Sequence, residues 1–331
     1  MARGQPRGYA LLMQSLRFGV ALALACLAPA SAARERAVAV TFDDLPAPPR
    51  SVVAADVAGL RQNTRKLLDA IRAHGVPAVG FVNEGKLVKD GETPADAQAR
   101  AGLLEMWLDA GLELGNHTYS HRSLNRTPLA EFQQDVIRGE PVTRRLLEAR
   151  GRKLRYFRHP FLQVGLELEK RRAFESFLKK RDYVIAPVTI DNDDYVFAAV
   201  YADALKAGDH ERAAKAAEAY LAYMARVFES VEGVSQRLFG REPKQVLLLH
   251  ANALNADHFG SLAEIMKSRG YRFITLADAL SDRAYASPDT YVGAWGLSWL
   301  QHWEISVGRP RSPSPDPPDW IAEAYKASGR P

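Results

Sequence analysis

Cysteine is all but missing from this chain: Cys26 is the only one in 331 residues, and it lies within an N-terminal apolar run. That excludes an internal disulfide and any thiol chemistry beyond that run. Long hydrophobic stretches are missing too, because the run from Phe18 to Ala30 is too short to span a bilayer comfortably. An excess of one charge is nearly absent. The formal net charge of +5 owes three arginines and no acids to residues 1–32, and the remainder carries 41 basic against 39 acidic side chains. Such a balance gives no nucleic-acid signature.

What is present begins with those same N-terminal residues. Arg3, Arg7 and Arg17 precede the apolar run, which ends in Ala30-Ser31-Ala32-Ala33. A charged region, a short apolar region and small residues form the pattern of a cleaved secretory signal over residues 1–32. The expected location is periplasmic or secreted, with no stable membrane insertion after cleavage. A lipid anchor on Cys26 is disfavoured, since Leu24-Ala25 before it fits that signal poorly.

After Arg36, short apolar β-rich runs alternate with stretches of helical periodicity. The strands are expected at Ala37–Phe42, Pro77–Val82, Leu112–Gly115, Leu154–Phe157, Tyr183–Ile190, Val246–Leu249 and Arg272–Thr275. Helices are expected at Asp56–His74, Ala95–Ala110 and Leu129–Ala149, with a helical insertion over residues 197–239 between the fifth and sixth strands. Seven strands separated by helices imply an α/β fold with parallel strands covered on both faces. An open sheet and a barrel both fit; the barrel is preferred because candidate site residues fall at so many strand ends. The domain is expected to run over residues 36–308, and the proline-rich stretch 309–331 reads as a disordered tail.

Those strand ends carry the chemistry. Thr41-Phe42-Asp43-Asp44 closes the first, and His117-Thr118-Tyr119-Ser120-His121 follows the third. Arg158 follows the fourth, Asp191-Asn192-Asp193-Asp194 the fifth, and His250 ends the sixth. Asp44, His117 and His121 suit one divalent cation, because two imidazoles and a carboxylate leave positions open for water and substrate. Four-residue spacing would put both histidines on one face if the segment turned into a helix. Asp43 is then a candidate general base, with Arg158 as a fixed charge beside it. His250 suits a general acid, tuned by either Asp191 or Asp194. Trp295, Trp299 and Trp303 would share one helix face, and packing of the C-terminal segment is their expected role.

Together these segments resemble the five motifs of the NodB-homology polysaccharide deacetylases, a family of metal-dependent carbohydrate esterases. The resemblance runs from about Arg36 to Leu280, with Arg158-His159-Pro160-Phe161 as the third motif, Asp191 to Tyr195 as the fourth, and Leu248-Leu249-His250 as the fifth. It implies a distorted (β/α) barrel and one ion, Zn²⁺ or else Co²⁺ or Ni²⁺, held by Asp44, His117 and His121. It also implies that Asp43 is the base activating water at the ion, Arg158 its aligning partner and His250 the acid. The backbone N–H of Phe161 would help hold the oxyanion, while Leu248 and Tyr195 would line an acetyl pocket. The implied partner is an N-acetylated glycan: peptidoglycan, a chitin-type oligomer or an exopolysaccharide. Three positions depart from the family pattern: Tyr195 stands for tryptophan, Phe161 for tyrosine, and Ala251-Asn252 follows His250 in place of aspartate. Two other readings use the same residues: hydrolysis of a small cyclic or linear amide, and non-catalytic glycan binding.

Overall fold

A computed structural model describes residues 36–88, 91 and 93–329, together with Met1. Apart from Met1, residues 1–32, expected to be a secretory signal, lie outside the described residues. Seven parallel strands form one curled sheet in the order β5-β4-β3-β2-β1-β6, with β7 paired to the start of β1. The strands are β1 (Arg36–Leu45), β2 (Val79–Val82), β3 (Glu113–Asn116), β4 (Tyr156–Phe157), β5 (Val184–Ile185), β6 (Gln245–His250) and β7 (Tyr271–Phe273). The fifth strand is shorter than expected. Pro187 has no N–H to continue the ladder, so the chain leaves β4 after Ala186. It then crosses to β6, where Ile190 bridges Leu247 and closes the ring into a distorted barrel.

Helices cover the outside: α1 (Val57–Ala73), α2 (Pro94–Asp109), α3 (Leu129–Arg138), α4 (Pro141–Glu148), α5 (Leu168–Lys180), α6 (Asp194–Lys206), α7 (His210–Phe239) and α8 (Ala253–Ser268). Helix α1 shows why such segments fold locally. Asp56 accepts from the Gly59 N–H at its start, Leu60, Leu67, Leu68 and Ile71 are its buried stripe, and Gly75 turns away at φ 64°. The expected single helix over 129–149 is in fact two, because the ring of Pro141 cannot continue the ladder beyond Gly139.

Side-chain alternation along β1 sorts the interior. Val38, Val40 and Phe42 face the helices, while Ala37 and Ala39 join Val79, Phe81, Tyr156, Ala186 and Val246 in a separate inner cluster. Thr41 and Asp43 continue the inner register. Phe42, between them, is wedged against Trp107 of α2 at 5.5 Å and Phe259 of α8 at 5.6 Å between ring centroids.

The insertion is a helical hairpin, α6 and α7, that packs on itself and on α8. The face spaced by Ala213, Ala216, Ala217, Tyr220 and Met224 is buried, as its periodicity implies. The C-terminal segment departs from expectation. Helices α9 (Leu276–Leu280), α10 (Trp299–Ser306) and α11 (Asp319–Ala327) follow β7, so the stretch expected to be a disordered tail carries a helix. Ile321 of α11 is fully buried in the main core, which gives that helix an apolar anchor the proline count concealed. No helix of the described residues is long and apolar enough to cross a membrane.

Trp107→Ala should cost about 3–5 kcal/mol, since it removes a fully buried ring that holds Phe42 beside Asp43. Urea unfolding followed by circular dichroism would measure this, and a loss under 1 kcal/mol would contradict the packing described.

Candidate active site

The site forms because β1 stops being regular at the right place. Its register against β2 shifts between Phe42 and Leu45, and Asp44 takes the left-handed φ of 72°. A bulge of this kind re-aims a side chain. Asp43 keeps the inner register and meets Arg158, while Asp44 swings toward His121.

Arg158 is fully buried at the end of β4, with its guanidinium 4.6 Å from the centroid of the Phe81 ring. Its Nε donates to the Ala186 carbonyl at 2.8 Å and its Nη2 to Thr41 Oγ1 at 2.9 Å. The Nη1 group lies 3.2 and 3.3 Å from the two oxygens of Asp43. Burial pushes the Asp43 carboxyl up to about 6, although Arg158 pulls the other way.

His117 and His121 converge, but not on a helix face. Thr118 and His121 both adopt left-handed φ, at 66° and 53°, so a tight loop brings the two rings to 4.9 Å. Asp135 of α3 ties that loop by accepting from the Ser120 N–H at 2.9 Å and the Ser120 hydroxyl at 2.8 Å. Gly139 permits the fit, because a Cβ there would lie 2.7 Å from the Thr118 carbonyl carbon.

One ligand atom from each of Asp44, His117 and His121 lies within 4.8 Å of the others. The donors fit a divalent cation. His117 Nδ1 is 2.9 Å from the Arg158 carbonyl oxygen, which fixes the proton there and turns the Nε2 lone pair inward. Burial lowers the pKa of both imidazoles, so they are neutral donors. Asp44 Oδ1 is buried and lies 3.6 Å from His121 Nε2. Although burial opposes ionisation, Lys86 and then His121 hold the Asp44 carboxyl well below the usual range. Lys86, whose Nζ is 2.7 Å from Asp44 Oδ1, has no sequence signal beyond being a lysine after the second strand.

At the opposite wall, His250 Nδ1 is 2.6 Å from Asp194 Oδ1, and the His250 N–H donates to Asp194 Oδ2. Asn252 and Asn255 also donate to Asp194 Oδ2, at 3.1 and 2.7 Å. Burial would lower the imidazole, but Asp194 wins and raises His250 to about 9. The structure thus pairs His250 with Asp194 rather than Asp191. Asp191 caps the Asn192 N–H and sits in a recess with Thr189, Ser298 and Gln301. The asparagine after His250, where the family pattern has aspartate, is accounted for by this network.

Phe161 adopts a φ of 57° in a turn closed by the N–H groups of Leu162 and Gln163, so its own N–H is left outside those bonds. The residue is 53% exposed, and its ring lies 4.4 Å from that of His121. Tyr195, 41% exposed, stands 6.1 Å from the His250 ring. Leu248 is packed with Leu162, Val188 and Trp299 in a separate apolar cluster. Of the three tryptophans, Trp299 and Trp303 belong to that cluster, but Trp295 precedes α10 and is 74% exposed. Only Trp299 and Trp303 share a helix face, because the helix begins at the Ser298 cap, after Trp295.

A parallel α/β barrel that gathers an Asp–His–His donor set, a buried Asp–Arg pair and an Asp–His pair at its strand ends has the outline of a hydrolase. Residues 30–173 match the family described as polysaccharide deacetylase. Over that span the chain resembles the polysaccharide deacetylase family. It is similar to the peptidoglycan-N-acetylglucosamine deacetylase of Bacillus cereus, with 27% identity over 158 residues covering 48% of this chain and 46% of the relative. The chain therefore spans about half the length of that curated relative. Similar solved structures include a polysaccharide deacetylase from Bacillus cereus, at 16% identity over 72% of this chain and 91% of that one, with a TM-score of 0.47. Another is a family 4 carbohydrate esterase from Streptomyces lividans in complex with acetate, at 19% identity over 75% and 97%, with a TM-score of 0.44.

Asp135→Ala leaves all three donors in place but unties their loop. Its affinity for Zn²⁺, measured by titration calorimetry, should fall roughly ten- to a hundredfold. Unchanged affinity would show that the loop holds its shape without Asp135.

Proposed function

We propose that this protein is an exported, metal-dependent deacetylase that removes N-acetyl groups from amino-sugar units of a glycan, peptidoglycan before chitin-type or exopolysaccharide chains. The observation that carries the reading is the division of labour at one face: a neutral-imidazole and carboxylate donor set between a buried base and a charged acid. The named activity of the Bacillus cereus relative supports the choice of peptidoglycan. The pattern of residues 1–32 supports export.

Asp44, His117 and His121 would hold the ion, Zn²⁺ by the chemistry of its donors. Such an ion supplies an acidified water and a polarised carbonyl. The protein's own groups do the rest. Asp43 faces the donor set, with His117 Nε2 3.8 Å from its Oδ2, and is placed to take a proton from the attacking water. Arg158 keeps that carboxylate oriented. The Phe161 N–H is a donor for the oxygen of the tetrahedral centre. His250 enters charged and gives its Nε2 proton to the departing amine, while Asp194 steadies Nδ1. Tyr195 and Leu248 would bound the acetyl methyl.

Acetate released from N-acetylated peptidoglycan, lost on chelation and regained with Zn²⁺ or Co²⁺, is the expected result. Cleavage of a cyclic amide without acetate would favour the small-amide reading, and glycan binding without turnover the binding module. Asp43→Asn should retain metal yet drop kcat by about a hundredfold or more. The acid must be protonated, so kcat/KM should decline as pH rises through about 9. Asp194→Asn removes the charge that raises His250 and should move that limb to lower pH. A limb that stays put would exclude His250 as its source.

A further inference from the structure

A recess of about 390 Å³ opens directly beside the candidate centre, lined by His121, Arg122, Ser123, Arg126, Thr127, Pro128, Glu131 and Phe161. Two of its walls, His121 and Phe161, also face the reacting group, so whatever fills it is attached to the sugar undergoing reaction or to its neighbour. The volume suits about one pyranose ring with a substituent.

The remaining walls are built rather than incidental. Residues 122–127 hold their shape through backbone bonds from Arg126 and Thr127 to the Ser123 carbonyl and a bond from the Ser123 hydroxyl to Gln163 Oε1. Asn125 accepts from the Gly165 N–H at 3.0 Å and donates to the Gly293 carbonyl at 2.9 Å. Lys170 donates to the carbonyls of Leu124 and Thr127 at 2.6 and 2.7 Å, which occupies its ammonium in holding the loop. The stems of Arg122 and Arg126 therefore leave a braced loop.

Charge then decides the ligand. Arg122 has a partner in Glu131 at 3.4 Å, whereas Arg126 makes no ion pair among the described residues. The recess carries one positive charge in excess, on a planar group suited to a carboxylate. We infer that this recess is a subsite for a carboxylate of the glycan, adjacent to the N-acetyl group that is removed, with Arg126 as its main contact. The inference rests on the deacetylase reading above and narrows its substrate to acidic glycans. A lactyl ether on the reacting sugar and a uronic acid beside it present the same group.

The test compares matched substrates: lactyl-ether oligomers and uronic acid-containing oligomers, each as free acid and as uncharged methyl amide, alongside neutral chito-oligomers. For the correct source, kcat/KM should favour the free acid by about tenfold or more. Arg126→Glu should invert that preference, with its melting temperature showing that the exposed substitution leaves the fold intact. The lactyl or the uronic arm that shows the preference identifies the source. An acid-to-amide ratio near one in the wild type for both pairs, or the same ratio in Arg126→Glu, would overturn the subsite. If no acetate appears from any substrate, neutral oligomers included, the deacetylase reading falls with it.

Discussion

Everything at this site leans on a guanidinium buried at the mouth of the barrel. Arg158 is inaccessible to water, and removing such a charge from solvent is tolerated only where partners surround it. Three groups from two strand ends do so: Thr41 and Asp43 on β1, and the Ala186 carbonyl where the chain leaves β5. The Phe81 ring closes the fourth side. A single residue thereby fixes the separation of β1, β4 and β5, and the Arg158 carbonyl also orients His117. Folding and site assembly share one polar layer, stacked on an apolar interior of Ala39, Val79 and Val246.

The face that carries the candidate site is also where backbone regularity is given up. Asp44, Thr118, His121, Phe161 and Leu162 all adopt left-handed φ although none is glycine. Each such residue costs of order 1 kcal/mol or more and persists only where its surroundings dictate it. Here the surroundings are identifiable: the bulge against β2, the Asp135 bonds to Ser120, and the Gly296 backbone, pressed so close to the Phe161 carbonyl that no Cβ would fit. The loops are stiff because they are overdetermined, and stiffness is what holding several donors to one point demands.

The insertion between β5 and β6 has a structural logic of its own. Tyr220 of α7 donates to Asn255, which donates to Asp194, which holds His250. Tyr223 accepts from the Asp193 N–H one position before. The hairpin thus stands behind His250 as Arg158 stands behind Asp43. The C-terminal segment does comparable work on the other flank, where Asp289 joins Arg171 of α5 to His302 of α10.

Much of this was legible in the sequence. Apolar runs of period two, helical stripes and glycine stops are local properties, and they located seven strands and the helical insertion. The residues later found around one centre stood out because each followed such a run. What the sequence left open were matters of direction. Nothing local chose Asp194 over Asp191 for His250, because both lie within the same four residues and only the start of α6 turns one inward. Spacing alone suggested that His117 and His121 share a helix face; the structure joins them through a left-handed loop that Asp135, fourteen residues beyond His121, imposes. Lys86 at Asp44, the exposed Trp295 and the anchoring of Ile321 likewise depend on contacts between distant segments. The sequence by itself determined which residues sit at strand ends. Only the tertiary structure decided which way they point, since that direction is set by bulges, helix termini and buried partners far away along the chain.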